Sequence, residues 1–444
     1  MWNALGFKQN PYEASPLKTR AEDVELLIGR DHEAIEFCTV LESSEQGIYV
    51  ISGSPGVGKT SFFNVQQYLL ETGSSLCGPS LISARELCPV QPNDTAQHLA
   101  LRVIYSLHRS VEEYCNLNRI QIPKETKKIG AWLHGKGGSG FNVGLQILGF
   151  GGNVGRQIEV PSIKEITFEG LRDVINCIVS EIVNTLNKDG VFIALDNIEN
   201  LDDQELSDIL ITFRDTLFSI PKVWWVIIGQ SGLGSLIQSL DPRVSDRLSG
   251  TGLELKPITL ASLHKAIEGR VDRFHSVDKG KAPLPQKIHE HLYSASHGEI
   301  RFVFKYCASI CTQFIKSMRI TLAEMEVKID DKSLNELLGK HLVEAQIKED
   351  FAENLLKEII QSELNGLNLR QKEKELLKQV GERGSVRAKD FKELGFKTMQ
   401  ELSSNYLSKL YKQHLLTRKQ EGRAVQYSLR GLSSLASEFG LLDI

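Results

Sequence analysis

Apolar residues over the first 260 positions gather in short unbroken runs with amphipathic stretches between them. GIYVIS (47–52), SLISA (80–84), VFIAL (191–195), VWWVII (223–228) and LELKP (253–257) predict strands. Helical spacing fills the intervals over 95–110, 168–186 and 203–217. LLIGRDHEAIEFCTVLES reads as a turn at Gly29 and a helix from about Asp31. Apolar strands that alternate with helices bury both faces, so the pattern predicts an α/β fold with a parallel sheet sandwiched by helices.

Beyond residue 258 the pattern changes. Residues 260–318 read as helical with a break near 279–285, and 333–364 form a charged helical stretch. From 366 onward the order predicts a winged helix-turn-helix. A first helix carries Leu376, Leu377 and Val380, and a turn at GERGS leads to a short second helix ending near Leu394. A third helix from about Thr398 buries Met399, Leu402, Leu407 and Leu410, and two strands then hinge at 420–422. The layout is an α/β core over 1–258, a helical lid with connecting helices over 259–365, and a winged helix over 366–444. Inside the core, ten glycines crowd residues 130–155, and FNVGLQI alternates within them. That combination predicts an inserted β-hairpin over about 130–160.

Charge sharpens this division. The chain carries a formal −4, yet residues 369–431 hold 15 Lys and Arg against 7 Asp and Glu, which leaves −12 on the rest. An acidic body with a basic C-terminal module excludes a globally basic nucleic-acid coat protein but not a local DNA contact. Seven scattered cysteines without a CxxC pair argue against a disulfide scaffold and fit a reducing, cytoplasmic setting. Cys307 and Cys311 read as buried thiols on a helix. No apolar run approaches the roughly 20 residues that span a bilayer, so no membrane association is expected.

The candidate chemistry begins at GSPGVGKT, residues 53–60, between the first strand and a helix. It matches GxxxxGK[ST] in its confirming context. The backbone of Gly53, Ser54, Pro55, Gly56, Val57 and Gly58, with Lys59, Thr60 and Ser61 at the helix start, suits the phosphates of ATP. Lys59 reaches the β- and γ-phosphates and Thr60 ligates Mg²⁺. VFIALDNIENL ends a strand in Asp196, a position that suits a direct or second-sphere Mg²⁺ ligand. A group must also orient water; Glu199 is the candidate base, with Asn197 beside it.

Together these residues resemble the AAA+ ATPases, over roughly 27–316. GRDHE (29–33) looks like the segment that contacts the adenine in that superfamily. VWWVIIGQSGL places Gln230 where the family has its sensor-1 residue. In RVSDRL, Arg243 and Arg247 stand where an arginine finger reaches a neighbouring subunit, and GEIR offers Arg301 as sensor 2. The motif order is similar to that of replication-initiator (origin-recognition type) ATPases and of transposition target-selection ATPases. One departure matters: the family has Glu directly after the Mg²⁺ aspartate, and here it is Asn197, which implies a slow, switch-like ATPase rather than a motor.

The expectation is an ATP-dependent switch, hydrolysing ATP slowly to ADP and phosphate, that forms homo-oligomers and associates with double-stranded DNA. Ser403, Ser404, Asn405, Lys409 and Lys412 on the third helix would face bases and phosphates, and Arg418, Lys419 and Arg423 in the wing would face the backbone. The alternative is a regulatory or signalling ATPase, for example in prokaryotic defence, whose winged helix docks a partner protein.

Overall fold

The computed structural model describes residues 1–75, 77–84, 88–133, 167–276, 280–326, 328–338, 342–343, 346–421 and 424–442. The chain divides into two compact units, one of Pro16–Lys256 and one of Met1–Ser15 with Pro257–Ile444.

The first unit is built on a parallel sheet of β1 (Gly47–Gly53), β2 (Leu81–Ser83), β3 (Cys88–Pro89), β4 (Gly190–Asp196), β5 (Val223–Gly229) and β6 (Leu253–Leu255). The order is β2-β4-β5-β1-β6, and β3 pairs with the C-terminal end of β4 beyond β2. All five runs singled out in the sequence are strands, and only the two-residue β3 had no pattern to betray it. The seven residues of β4 and the seven of β5 are all buried, as strands covered on both faces must be.

Period-two alternation deals these side chains to two layers. Ile48, Val50, Val191, Ile193, Trp225 and Ile227 pack with the helices Ala96–Asn118, Phe168–Asn184 and Asp203–Asp215. Tyr49, Ile51, Phe192, Ala194, Trp224 and Val226 pack with Asp31–Glu42 and Lys59–Thr72 on the other face. Residues 130–133 close the helix Lys124–Leu133 instead of opening a hairpin. The apolar Ile129, Trp132 and Leu133 are buried there, so helical packing outweighs the glycine at 130. The rest of the expected hairpin, 134–160, lies outside the described residues.

In the second unit the helices Leu260–Phe274, Gln286–Ala295, Ile300–Glu324 and Glu349–Gly366 share one core with the N-terminal segment, where Phe7 and Tyr12 are fully buried. Thr259 caps the first of these helices by accepting from the Ser262 N–H at 3.1 Å. The charged stretch over 333–364 is not one helix. Asp331–Leu338 and Glu349–Gly366 are separated by a short antiparallel pairing, Leu342–Val343 with Gln346–Ile347. Cys307 and Cys311 are buried thiols, and no cluster of three metal-ligating side chains occurs among the described residues.

The basic stretch runs helix (Gln371–Arg383), short strand (Val386–Arg387), a helical turn (Ala388–Lys392), a third helical segment over 399–412, then strands Leu416–Glu421 and Ala424–Leu429. The three strands form an antiparallel sheet, Leu416 opposite Leu429 and Gln426 opposite Arg387. Leu402, Leu407 and Leu410 are buried as the pattern required, but Met399 is 54% exposed. It sits in the first turn, ahead of a widened, π-type stretch over Glu401–Leu407 that carries the following side chains inward. No helix among the described residues is long and apolar enough to cross a membrane.

Candidate nucleotide site

The glycine loop leaves β1 at Gly53, whose backbone lies so close to β6 that a Cβ there would stand 2.6 Å from the Leu255 carbonyl oxygen. Gly56 and Gly58 have φ of 75° and 99°, which glycine adopts without strain. Gly58 is the N-cap of the helix Lys59–Thr72, so the loop closes on a helix N-terminus with its unpaired N–H groups. Lys59 extends back over the loop, where its Nζ donates to the carbonyls of Gly53 at 2.8 Å and Ser54 at 3.2 Å. Ser61, also assigned to the cofactor, accepts instead from the Leu17 N–H at 3.1 Å. The neighbouring Asn64 side chain donates to the Leu17 carbonyl at 2.8 Å.

Across from the loop, β4 delivers Asp196. The Thr60 hydroxyl lies 3.5 Å from Asp196 Oδ2, while Oδ1 accepts from the Asn197 N–H at 2.9 Å. Burial pushes the Asp196 carboxyl above its usual range. The Glu199 carboxylate adds to this, and the Asn197 N–H, the Lys59 ammonium and the Thr60 hydroxyl oppose it. A hydroxyl and a carboxylate brought together beside a lysine, at a helix N-terminus, form a donor set of the kind that holds a divalent cation against phosphate oxygens.

Directly after Asp196 the chain turns at Asn197, with φ 61° and ψ 39°. Asn tolerates this left-handed conformation better than most residues. The local backbone thus gives a physical reason for an amide at a position where the resemblance leads one to expect Glu. The following turn, Ile198–Asn200, is held by Asn200, whose side chain donates to the Val90 carbonyl at 2.8 Å. Glu199 is exposed and reaches the tip of β5, its Oε2 3.4 Å from where a Cβ on Gly229 would be. Gln230 is exposed at that same tip, so Asp196, Asn197, Glu199 and Gln230 all lie at the C-terminal ends of the adjacent strands β4 and β5.

Arg243 and Arg247 are exposed on and just after the short helix Pro242–Ser245. Sequence reasoning passed over what positions them. Asp241 caps this helix by accepting from the Arg243 N–H at 2.7 Å, and it also pairs with Arg214 at 2.7 Å. Arg214 in turn grips Asp215 with both Nε and Nη2, and this holds the Asp215 carboxyl below its usual range, with lesser help from Arg247 and Arg243. Arg30 is the other missed residue: nearly fully buried, it donates to the Val57 carbonyl in the middle of the glycine loop.

The remaining candidates belong to the second unit. Arg301 is exposed in the first turn of Ile300–Glu324. Ser404, Asn405 and Lys412 are exposed along the third helical segment, and Ser403 is half-buried. Arg418 and Lys419 are exposed on the strand Leu416–Glu421, and Arg423 lies outside the described residues. Lys409 is half-buried, and its ammonium pairs with the buried Glu373 carboxylate.

Solved structures similar to the chain include the Aeropyrum pernix ORC2 protein in its ADPNP–ADP complexes, at 12% identity and a TM-score of 0.46 over 98% of this chain and 97% of that one. The Aeropyrum pernix ORC1 protein in complex with DNA matches at 16% identity and a TM-score of 0.42 over 94% of each chain. Cdc6p from Pyrobaculum aerophilum matches at 13% and 0.38 over 97% of each. No family model and no curated protein matches the chain.

Proposed function

We propose that the chain is an ATP-binding switch that hydrolyses its nucleotide slowly. The observation that carries this reading is the meeting of Thr60 and Asp196, 3.5 Å apart, beside a glycine loop that opens a helix. ATP with Mg²⁺ would bring to this place a phosphoanhydride and the cation that neutralises it. The chain's own part follows from its geometry. The N–H groups of the loop and the helix start donate to phosphate oxygens, and Lys59 exchanges its two carbonyl acceptors for them. Thr60 and Asp196 hold the cation. Glu199, at the tip of β5, accepts a proton from the attacking water, and Gln230 orients it. With Asn197 where a second carboxylate would stand, proton removal is left to one exposed Glu199, which supports slow turnover. Exposed Arg243 and Arg247, fixed by the Asp241–Arg214 pair, would complete a neighbouring copy's site in a homo-oligomer, and Arg301 would report the bound state to the helical unit.

The basic module acts on this reading as a winged helix that contacts double-stranded DNA, with Ser404, Asn405 and Lys412 toward the major groove and Arg418 and Lys419 toward the backbone. The 15 basic against 7 acidic residues over 369–431 support that role. A second reading, docking of a protein partner, is favoured by Met399, an apolar side chain presented at 54% exposure on the same helical segment.

The test is duplex-DNA binding at two salt concentrations without nucleotide, with ADP and with a non-hydrolysable ATP analogue, for the chain and for Lys59→Ala. Salt-sensitive binding that strengthens with the analogue, and loses that strengthening in Lys59→Ala, is expected. Tight nucleotide binding without any DNA binding would move the module to the protein-docking reading. Loss of neither nucleotide binding nor its effect in Lys59→Ala would overturn the switch.

A further inference from the structure

A cavity of about 430 Å³ lies within the unit of Met1–Ser15 and Pro257–Ile444, between the helices Leu260–Phe274 and Gln286–Ala295 and the segment that joins them. None of its lining residues belongs to the nucleotide site. Its volume falls within the roughly 300–1,000 Å³ of small-molecule sites. Ile267, Val271 and Leu284 give it an aliphatic wall, and all three are buried.

Its polar groups are built in. His289, only 3% exposed, lines the cavity and is held from behind by Tyr12, whose hydroxyl lies 2.9 Å from Nε2. The Leu284 N–H donates to the same hydroxyl at 3.4 Å, and the hydroxyl's own proton has no acceptor among the described residues other than His289, so Nε2 is the acceptor. The ring proton therefore sits on Nδ1, which has no partner among the described residues. Burial pushes the imidazole down to about 3, with His264 adding to the shift, so the ring stays a neutral donor near pH 7. His264 also lines the cavity, and its buried Nε2 has no hydrogen-bond partner among the described residues, with Glu290 standing off at 3.7 Å.

The rim decides the charge of an occupant. Glu268 and Asp272 stand one turn apart on the same helix, both exposed, and Lys281 is the single cation among the lining residues. An anionic ligand would meet two carboxylates over neutral imidazoles, while a cation would be drawn to them. A metal ion is a poor occupant, since no three His, Cys, Asp or Glu side chains converge among the described residues.

We propose that this cavity binds a small organic cation, its ammonium or guanidinium at Glu268 and Asp272, its apolar body against Ile267, Val271 and Leu284, and a hydrogen-bond acceptor at the His289 Nδ1–H. The inference stands independently of any nucleotide.

The experiment uses the full chain with ¹³C-labelled histidine and follows the imidazole resonances by NMR. The probe is phenylalaninamide, which joins an ammonium, a carbonyl and an apolar ring, and the control is N-acetylphenylalanine, an anion of similar size. Saturable movement of the His289 and His264 signals with phenylalaninamide at around 1 mM is expected for a ligand of this size. The acid should leave them in place. Glu268→Gln with Asp272→Asn, both exposed and so without effect on the fold, should weaken the amide about tenfold. Unmoved signals up to about 10 mM would overturn the proposal, since a fitting fragment binds below that. Equal response to the acid, or undiminished binding in a double variant whose melting temperature is unchanged, would overturn it as well.

Discussion

Arg30 donates from Nη2 to the Val57 carbonyl at 2.9 Å, tying the segment before β1 to the middle of the glycine loop. Its Nη1 holds Glu33 at 2.7 Å, so the guanidinium is anchored from its own helix while it braces the loop. Replacing Arg30 with Ala removes the donor from a carbonyl whose surroundings exclude water. The cost is about 1–3 kcal/mol of stability, the penalty for an unsatisfied buried acceptor. Chemical denaturation reads that loss. A fluorescent ATP analogue should also bind more weakly, because a loop free to sample other shapes must be ordered on binding. Unchanged nucleotide affinity in a destabilised Arg30→Ala protein would confine the residue to the fold.

Asp196 invites the opposite outcome. Burial raises its carboxyl above 3.8, so the folded chain holds the proton at pH values where the unfolded chain has released it. The unfolded state therefore gains stability relative to the folded one as pH rises from 3.8 through the raised value, and the folded chain carries that cost at neutral pH. Asp196→Asn removes the charge and should raise the melting temperature of the nucleotide-free protein at pH 7. The gain should vanish below pH 3.8, where both forms are neutral. The same variant should lose Mg²⁺-dependent nucleotide binding. A lower melting temperature at pH 7 would refute the sign.

How much of this was legible in the sequence follows from the range of the forces involved. β4 and β5 announced themselves because their buried positions form unbroken apolar runs, Val191–Leu195 and Val223–Ile228, with no polar residue to confuse the pattern. The loop from Gly53 to Thr60 was legible because its chemistry is local, and Asp196 because it ends an apolar strand. Arg30 and Arg214 were not, since each acts through a partner 27 residues away and nothing in a window of sequence marks the pairing. Met399 misled because helical spacing fits it to the buried stripe, whereas the widened turn over Glu401–Leu407 shifts the register. Lys409 read as a surface cation, yet its partner Glu373 lies 36 positions earlier and is buried.

His289 makes the helical unit sensitive to acid. In the fold its imidazole is pushed down to about 3 by burial, and by the neighbouring His264, against 6.5 when unfolded. Between those values the unfolded chain binds a proton that the folded chain refuses, so stability falls as pH drops from 6.5 toward 3. Tyr12 faces the ring from the N-terminal segment and needs Nε2 unprotonated to accept its hydrogen bond. Melting temperatures across pH 5–8 should decline below 6.5 and should decline less steeply in His289→Gln. Equal slopes in the two proteins would show that other groups carry the acid limb.

Lys409 and Lys412 separate folding from recognition within the basic module. The Lys409 ammonium is committed to Glu373, which is only 2% exposed and whose other oxygen accepts from the Arg370 N–H at 2.9 Å. Burial works against the Glu373 charge, yet Lys409 and the Arg370 N–H more than offset it and hold the carboxyl below its usual range. Lys409→Ala leaves that carboxylate with the Arg370 N–H alone and should cost about 1–3 kcal/mol, the penalty for a buried acceptor that loses a partner. Lys412 is exposed and has no such duty, so Lys412→Ala should leave stability within about 0.5 kcal/mol. If the module contacts DNA phosphates, Lys412→Ala should lower the slope of log affinity against log salt by about one. Denaturation and salt titration of both variants therefore form one experiment. A stable Lys409→Ala protein would refute the buried pair, and an unchanged slope in Lys412→Ala would take that residue out of any DNA interface.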